Sequence, residues 1–203
     1  MTRTVAVVTA GLSQPSSTRL LADRLATAVT QRLAQQGEDV LVEVVELRAL
    51  AHALADNLLT GFPGEELEAA VRTVVEADAL VAVTPVFTAS YSGLFKTFFD
   101  VLDKDALTGK PTLVAATAGT ARHSLVLEHA LRPLFAYLHA TVAPTAVFAA
   151  TEDFGSTSAG RLQERVERAA GELVALVTSS VPPATRPRDP FDDVRPFEEL
   201  LGG

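Results

Sequence analysis

The chain has 203 residues, 48% of them apolar, a formal charge of −8 and no cysteine. That is enough apolar material for one domain with a full core, and it argues against disorder over most of the length. The acidic balance, with no Lys/Arg-rich run, disfavours nucleic acid or an anionic membrane surface as a partner, and the lack of cysteine excludes disulfides, thiolate catalysis and Cys-ligated metals, so any redox chemistry must come from a bound cofactor.

The N-terminus enters an apolar segment directly, without the pattern of a signal peptide. No segment reaches membrane-spanning length without charge or proline, so a cytoplasmic protein is expected. Residues 4–10 are a continuous apolar run, as in a strand buried on both faces. Over 17–36, Leu21, Leu25, Ala28, Val29 and Leu33 recur at helical spacing, and Gly37 closes the helix. Residues 39–47 are valine-rich and read as a strand, with Glu43 suggesting a sheet edge. Short helices are expected over 50–59 and 65–77, separated by Gly61-Phe62-Pro63-Gly64. Residues 79–84 form a third strand, 92–102 a helix, and 112–117 a fourth strand after the turn Gly109-Lys110-Pro111. A long amphipathic helix is expected over 124–139. A fifth strand follows over 142–149, with Pro144 near its start or at an edge. The last helix covers 161–178. Beyond it, Pro182, Pro183, Pro187, Pro190 and Pro196 forbid regular structure, while Phe191 and Phe197 suggest a tail that docks, for instance on a second subunit.

Five strand–helix alternations argue for an α/β three-layer sandwich. The expected sheet is parallel and five-stranded, in the flavodoxin-like order 2-1-3-4-5. The domain spans residues 1–180 and the proline-rich C-terminal tail 181–203. Ligands in such sheets sit beyond the carboxyl ends of the strands where the order reverses, here strands one and three.

Three loops lie at those ends. In Gly11-Leu12-Ser13-Gln14-Pro15-Ser16-Ser17-Thr18-Arg19, hydroxyls crowd the start of a helix whose free amides and dipole favour an anion. Arg19 adds a cation if it turns inward. An ordinary serine-rich helix cap is the plain alternative. Gly11 stands alone, so the G-x-G-x-x-G fingerprint of a dinucleotide fold is absent. In Thr84-Pro85-Val86-Phe87-Thr88-Ala89-Ser90-Tyr91-Ser92-Gly93, a proline–aromatic turn offers apolar contact and amides to a flat ring. Core packing is the alternative for Phe87 and Tyr91. Thr117-Ala118-Gly119-Thr120 allows close backbone approach, or is a simple turn. A phosphate loop beside a ring loop points to flavin mononucleotide. Glu152-Asp153-Phe154-Gly155 is a further candidate for the wall. His123 is placed near the third loop, and His52, His129 and His139 are dispersed without metal spacing. Lys96 and Asp100 read as a surface pair.

These stretches, together with Leu94-Phe95-Lys96 and Ala121-Arg122-His123-Ser124, resemble the NAD(P)H-dependent FMN reductase family of flavodoxin-like proteins. The likeness is to the branch proposed to partner luciferase-like monooxygenases. The resemblance implies FMN and NAD(P)H as cofactors, with a hydride passing from nicotinamide to flavin N5 and reduced FMN supplied to a monooxygenase. An electron carrier without reductase activity, or a quinone reductase with fixed FMN, is the alternative. By position, Leu12, Ser13, Ser16, Ser17 and Thr18 would hold the phosphate. Pro85, Val86, Phe87 and Ser90 would line the ring and ribityl chain, and Thr117, Ala118 and Gly119 would meet the ring's other side. Many relatives carry an arginine and an asparagine where Ser13 and Thr18 stand. No catalytic side chain and no metal are implied. Relatives form homodimers or homotetramers in which a neighbour completes the flavin site. With no Trp and two Tyr, an aromatic clamp of the flavodoxin carrier type is not expected, and flavin should exchange readily.

Overall fold

A computed structural model describes residues 2–155 and 159–179. The N-terminal apolar run becomes β1 (Thr2–Thr9), whose Val5, Ala6, Val7 and Val8 are fully buried. Then follow α1 (Ser17–Gln35), β2 (Asp39–Glu46), α2 (Ala51–Thr60), α3 (Glu65–Glu76), β3 (Ala79–Phe87), β4 (Ser90–Tyr91) and α4 (Gly93–Asp100). The second half supplies β5 (Pro111–Ala118), α5 (Arg132–Tyr137), β6 (Thr141–Val142), β7 (Val147–Ala150) and α6 (Ala159–Ser179). Gly37, at φ 79°, ends α1 in the left-handed conformation that a glycine adopts without penalty.

The sheet runs β2-β1-β3-β5-β6, with β7 also paired to β5 and β4 to β3. Every pairing is parallel except β3 with β4. The side chains of β1 alternate between two cores. Ala6 and Val8 face Leu54, Leu67 and the phenylalanines of α4 and α5, whereas Val5 and Val7 face α1 and α6. Phe95, Phe99 and Phe135 form the densest aromatic contact, with centroids 4.7 Å and 4.9 Å apart in successive pairs. The doubly wound α/β arrangement is thus the expected one.

The five-stranded, all-parallel sheet in the simple order 2-1-3-4-5 is not, because the described residues form seven strands. The expected fifth strand divides at Pro144 into β6 and β7, both paired to β5. Proline has no amide to give the ladder. The carbonyls of Ala143 and Pro144 leave it as well, accepting from the Arg132 guanidinium. The second addition arises because β3 continues past Pro85 and folds back as β4 through Thr88 and Ala89.

The long helix expected over 124–139 is also interrupted. A 3-10 turn at Ala121–His123 and a π turn at Leu127–Leu131 precede α5. Pro133 removes the amide that would bond the carbonyl of His129, and its ring crowds that carbonyl. The backbone takes a wider turn there, with the Arg132 amide bonded to the carbonyl of Leu127. The proline-rich tail over 181–203, with Phe191 and Phe197, lies outside the described residues. Among the described residues no helix is long and apolar enough to cross a membrane.

Candidate functional site

Strand order reverses between β1 and β3, and the loops leaving β1, β3 and β5 open on one side of the sheet. They enclose a cleft of about 290 Å³. Its walls are Leu12, Ser13, Ser16, Ser17 and Thr18 from the first loop, Pro85, Val86 and Phe87 from the second, Thr117, Ala118 and Gly119 from the third, and Thr151. Every residue that the resemblance assigns to the flavin lines this cleft except Ser90, which instead pairs with Phe87 across the β3–β4 turn; the further wall candidates Glu152, Asp153, Phe154 and Gly155 do not line it. Thr151 was missed. The sheet carries it in by setting β7 beside β5, and its signal was its place at the carboxyl end of the last strand.

The first loop folds tightly on itself. A Cβ added to Gly11 would lie 2.0 Å from Ser16 Oγ and 3.0 Å from Ser16 Cβ, so only glycine fits under Ser16. Ser16 caps α1: its Oγ accepts the Arg19 amide at 3.2 Å. The amides of Ser17 and Thr18 have no carbonyl one turn back within the helix. The Gln14–Pro15 peptide is cis. Beneath the loop, the hydroxyls of Thr18 and Thr117 are 2.8 Å apart and buried, tying the start of α1 to the end of β5.

Among the described residues, no charged side chain lines the cleft. Arg19, which would add a cation if it turned inward, is directed elsewhere. Its Nε donates to Asp23 at 2.7 Å and its Nη1 to Glu46. The hydrogen bond to Asp23 raises the Arg19 pKa further, so the group stays charged but engaged.

The second loop is anchored from below. The buried Thr84 hydroxyl donates to the Pro85 carbonyl at 2.9 Å and accepts the Ser92 amide at 3.1 Å. Ser92 caps α4 by accepting the Phe95 amide at 3.2 Å. Leu12 and Phe87 are 47% and 46% exposed, two apolar side chains left open on the cleft. Tyr91 packs on Phe95, with centroids 6.0 Å apart, so it belongs to the core. Phe154 is stacked under Arg24. His123 is exposed, and His139 sits 3.3 Å from Asp105. Lys96 pairs with Asp100 on the surface of α4.

Hydroxyls and free amides of the first loop, brought into one cleft with exposed apolar side chains, suit a small phosphomonoester attached to a flat ring. The Gly11 cradle and the neutral donor set fit the phosphate of FMN on these grounds alone.

A family model described as NADPH-dependent FMN reductase matches residues 3–175. The chain belongs to this family. NADH-dependent FMN reductase SfnE of Pseudomonas putida is 36% identical over 174 residues, covering 85% of this chain and 91% of that protein. FMN reductase (NADPH) of Pseudomonas aeruginosa is 38% identical over 152 residues, covering 74% of this chain and 78% of that protein. The crystal structure of an oxidoreductase from Corynebacterium diphtheriae superposes with a TM-score of 0.86 at 52% identity, covering 89% of this chain and 99% of that one. This FMN reductase family member is an NAD(P)H:FMN oxidoreductase, with FMN and NAD(P)H as its cofactors.

Proposed function

We propose that the cleft binds FMN as an exchanging substrate, that NADH or NADPH reduces it there, and that reduced FMN leaves to supply a monooxygenase. The observation that carries this reading is the convergence of the three strand-end loops on one uncharged cleft. Ser13, Ser16, Ser17 and the first amides of α1 would hold the phosphate. Thr18 would position the loop through its bond to Thr117. Leu12, Pro85, Val86 and Phe87 would bear on one side of the ring, and Ala118 and Gly119 on the other. The chemistry supplied by bound FMN is acceptance of a hydride at N5. Among the described residues no acid or base lines the cleft, so those residues contribute orientation and exclusion of water.

The FMN-binding domain corresponds to residues 1–180. A cytoplasmic homodimer or homotetramer is the assembly proposed. Leu59 and Phe62, 87% and 81% exposed, offer it apolar surface to bury.

Steady-state oxidation of NADH and of NADPH, measured with and without added FMN, tests the reading. Turnover that saturates with free FMN supports it. Turnover of a quinone by flavin that survives gel filtration indicates a fixed prosthetic group, and no oxidation at all indicates a carrier.

A further inference from the structure

We propose that Asp23 and Glu46 form a latch that withholds Arg19 from the phosphate end of the cleft, and so keep FMN exchangeable. The inference rests on the assignment of the phosphate to the α1 loop made above. Arg19 directly follows Thr18, and its own amide closes the loop onto Ser16 Oγ. Arginine is the side chain best shaped for a phosphate, since its planar fork can give two parallel N–H bonds. Here two of its five N–H donors are already engaged by carboxylates. Nε is bonded to Asp23, one turn along α1, and Nη1 to Glu46 at the carboxyl end of β2.

Two carboxylates on one guanidinium leave one net negative charge beside a loop that must receive a dianion. Both ion pairs are half-exposed, so they contribute little to stability. Together they still compete with a phosphate for the same donors. Affinity is thereby left to hydroxyls, amides and the helix dipole. Such a site releases its flavin more readily than one with an arginine on the phosphate.

Fluorescence titration of FMN and riboflavin against the full chain tests the latch, because riboflavin lacks the phosphate. In Asp23→Asn/Glu46→Gln, FMN should bind about tenfold tighter, the gain of one charge-assisted contact. Riboflavin affinity should be unchanged, which also shows that the variant is folded. Adding Arg19→Gln to that pair should abolish the gain. Arg19→Gln alone should leave FMN affinity within about twofold, as expected for an exposed, already neutralised charge. The latch is overturned by unchanged FMN affinity in the double variant, by a gain that survives loss of Arg19, or by a large loss in Arg19→Gln alone. Those results leave the cleft assignment standing. Wild-type protein that binds neither flavin overturns the assignment itself, and the latch with it.

Discussion

Thr88 and Ala89 turn the chain between β3 and β4 at φ 47° and 70°. Two-residue hairpin turns of this kind normally carry Asn-Gly, because side chains with a Cβ are crowded in the left-handed region. The strain is held in place from outside the turn, by the Thr84 hydroxyl beneath it and by the Ser92 cap on α4. Replacing Ala89 with glycine removes a penalty of roughly 1–2 kcal/mol, while the added freedom of the unfolded chain returns roughly 0.4–1 kcal/mol of it. The steric term wins. Ala89→Gly should raise stability by about 0.5–1 kcal/mol, a shift of about 1–4 °C in Tm for a chain of this size by calorimetry; an unchanged or lower Tm contradicts the strain. Gly11 is the opposite case. Gly11→Ala forces Ser16 out of its capping position, since the new Cβ meets both Oγ and Cβ of that residue. Loss of a serine cap costs about 1 kcal/mol. Titration should show FMN affinity falling at least about tenfold, as the loop donors move apart. Gly11 and its serines were legible because their chemistry is local. The Thr88-Ala89 turn was not, since neither residue favours a left-handed conformation and the turn is imposed by its anchors.

At the scale of elements, the start of α1 is fastened to the end of β5 by one hydroxyl pair, Thr18 with Thr117, 2.8 Å apart and out of contact with solvent. Thr18→Val or Thr117→Val alone strands the other hydroxyl, at a cost of about 1–3 kcal/mol. Changing both removes both polar atoms and keeps the shape, so the double variant should be less destabilised than the two single effects added together. Urea unfolding of the four proteins checks this as a double-mutant cycle, and strict additivity would refute the pairing. No periodicity in the sequence joins residues 18 and 117. Only the order of the sheet does. The helix expected over 124–139 illustrates a different limit. Its apolar spacing is helical, but Pro133 outweighs spacing locally and the backbone yields with a π turn. Pro144 is visible in the sequence as a strand breaker, and yet the division into β6 and β7 depends on Arg132 taking the carbonyls that a continuous strand would have used.

For the molecule as a whole, the doubly wound sheet was legible from the alternation of apolar runs, and with it the rim where the cleft lies. What that alternation could not reveal was the electrostatics of the rim, because the partner of Arg19 on β2 is distant in sequence. The consequence reaches beyond the site. The chain carries −8, a phosphomonoester carries about −1.5 to −2, and among the described residues no charged side chain lines the cleft. Long-range forces therefore oppose the approach of FMN, while the contacts that hold it are short-range and mostly neutral. Salt should separate the two. The Debye length falls from about 30 Å at 0.01 M to about 10 Å at 0.1 M. Over that range repulsion is screened, and the association rate in stopped-flow quenching should rise, with the dissociation rate little changed. A steered encounter with a cationic site behaves in the opposite way and slows steeply with salt. An association rate that falls over this range would mean that a positive group guides the flavin in, contrary to an uncharged cleft on an acidic protein.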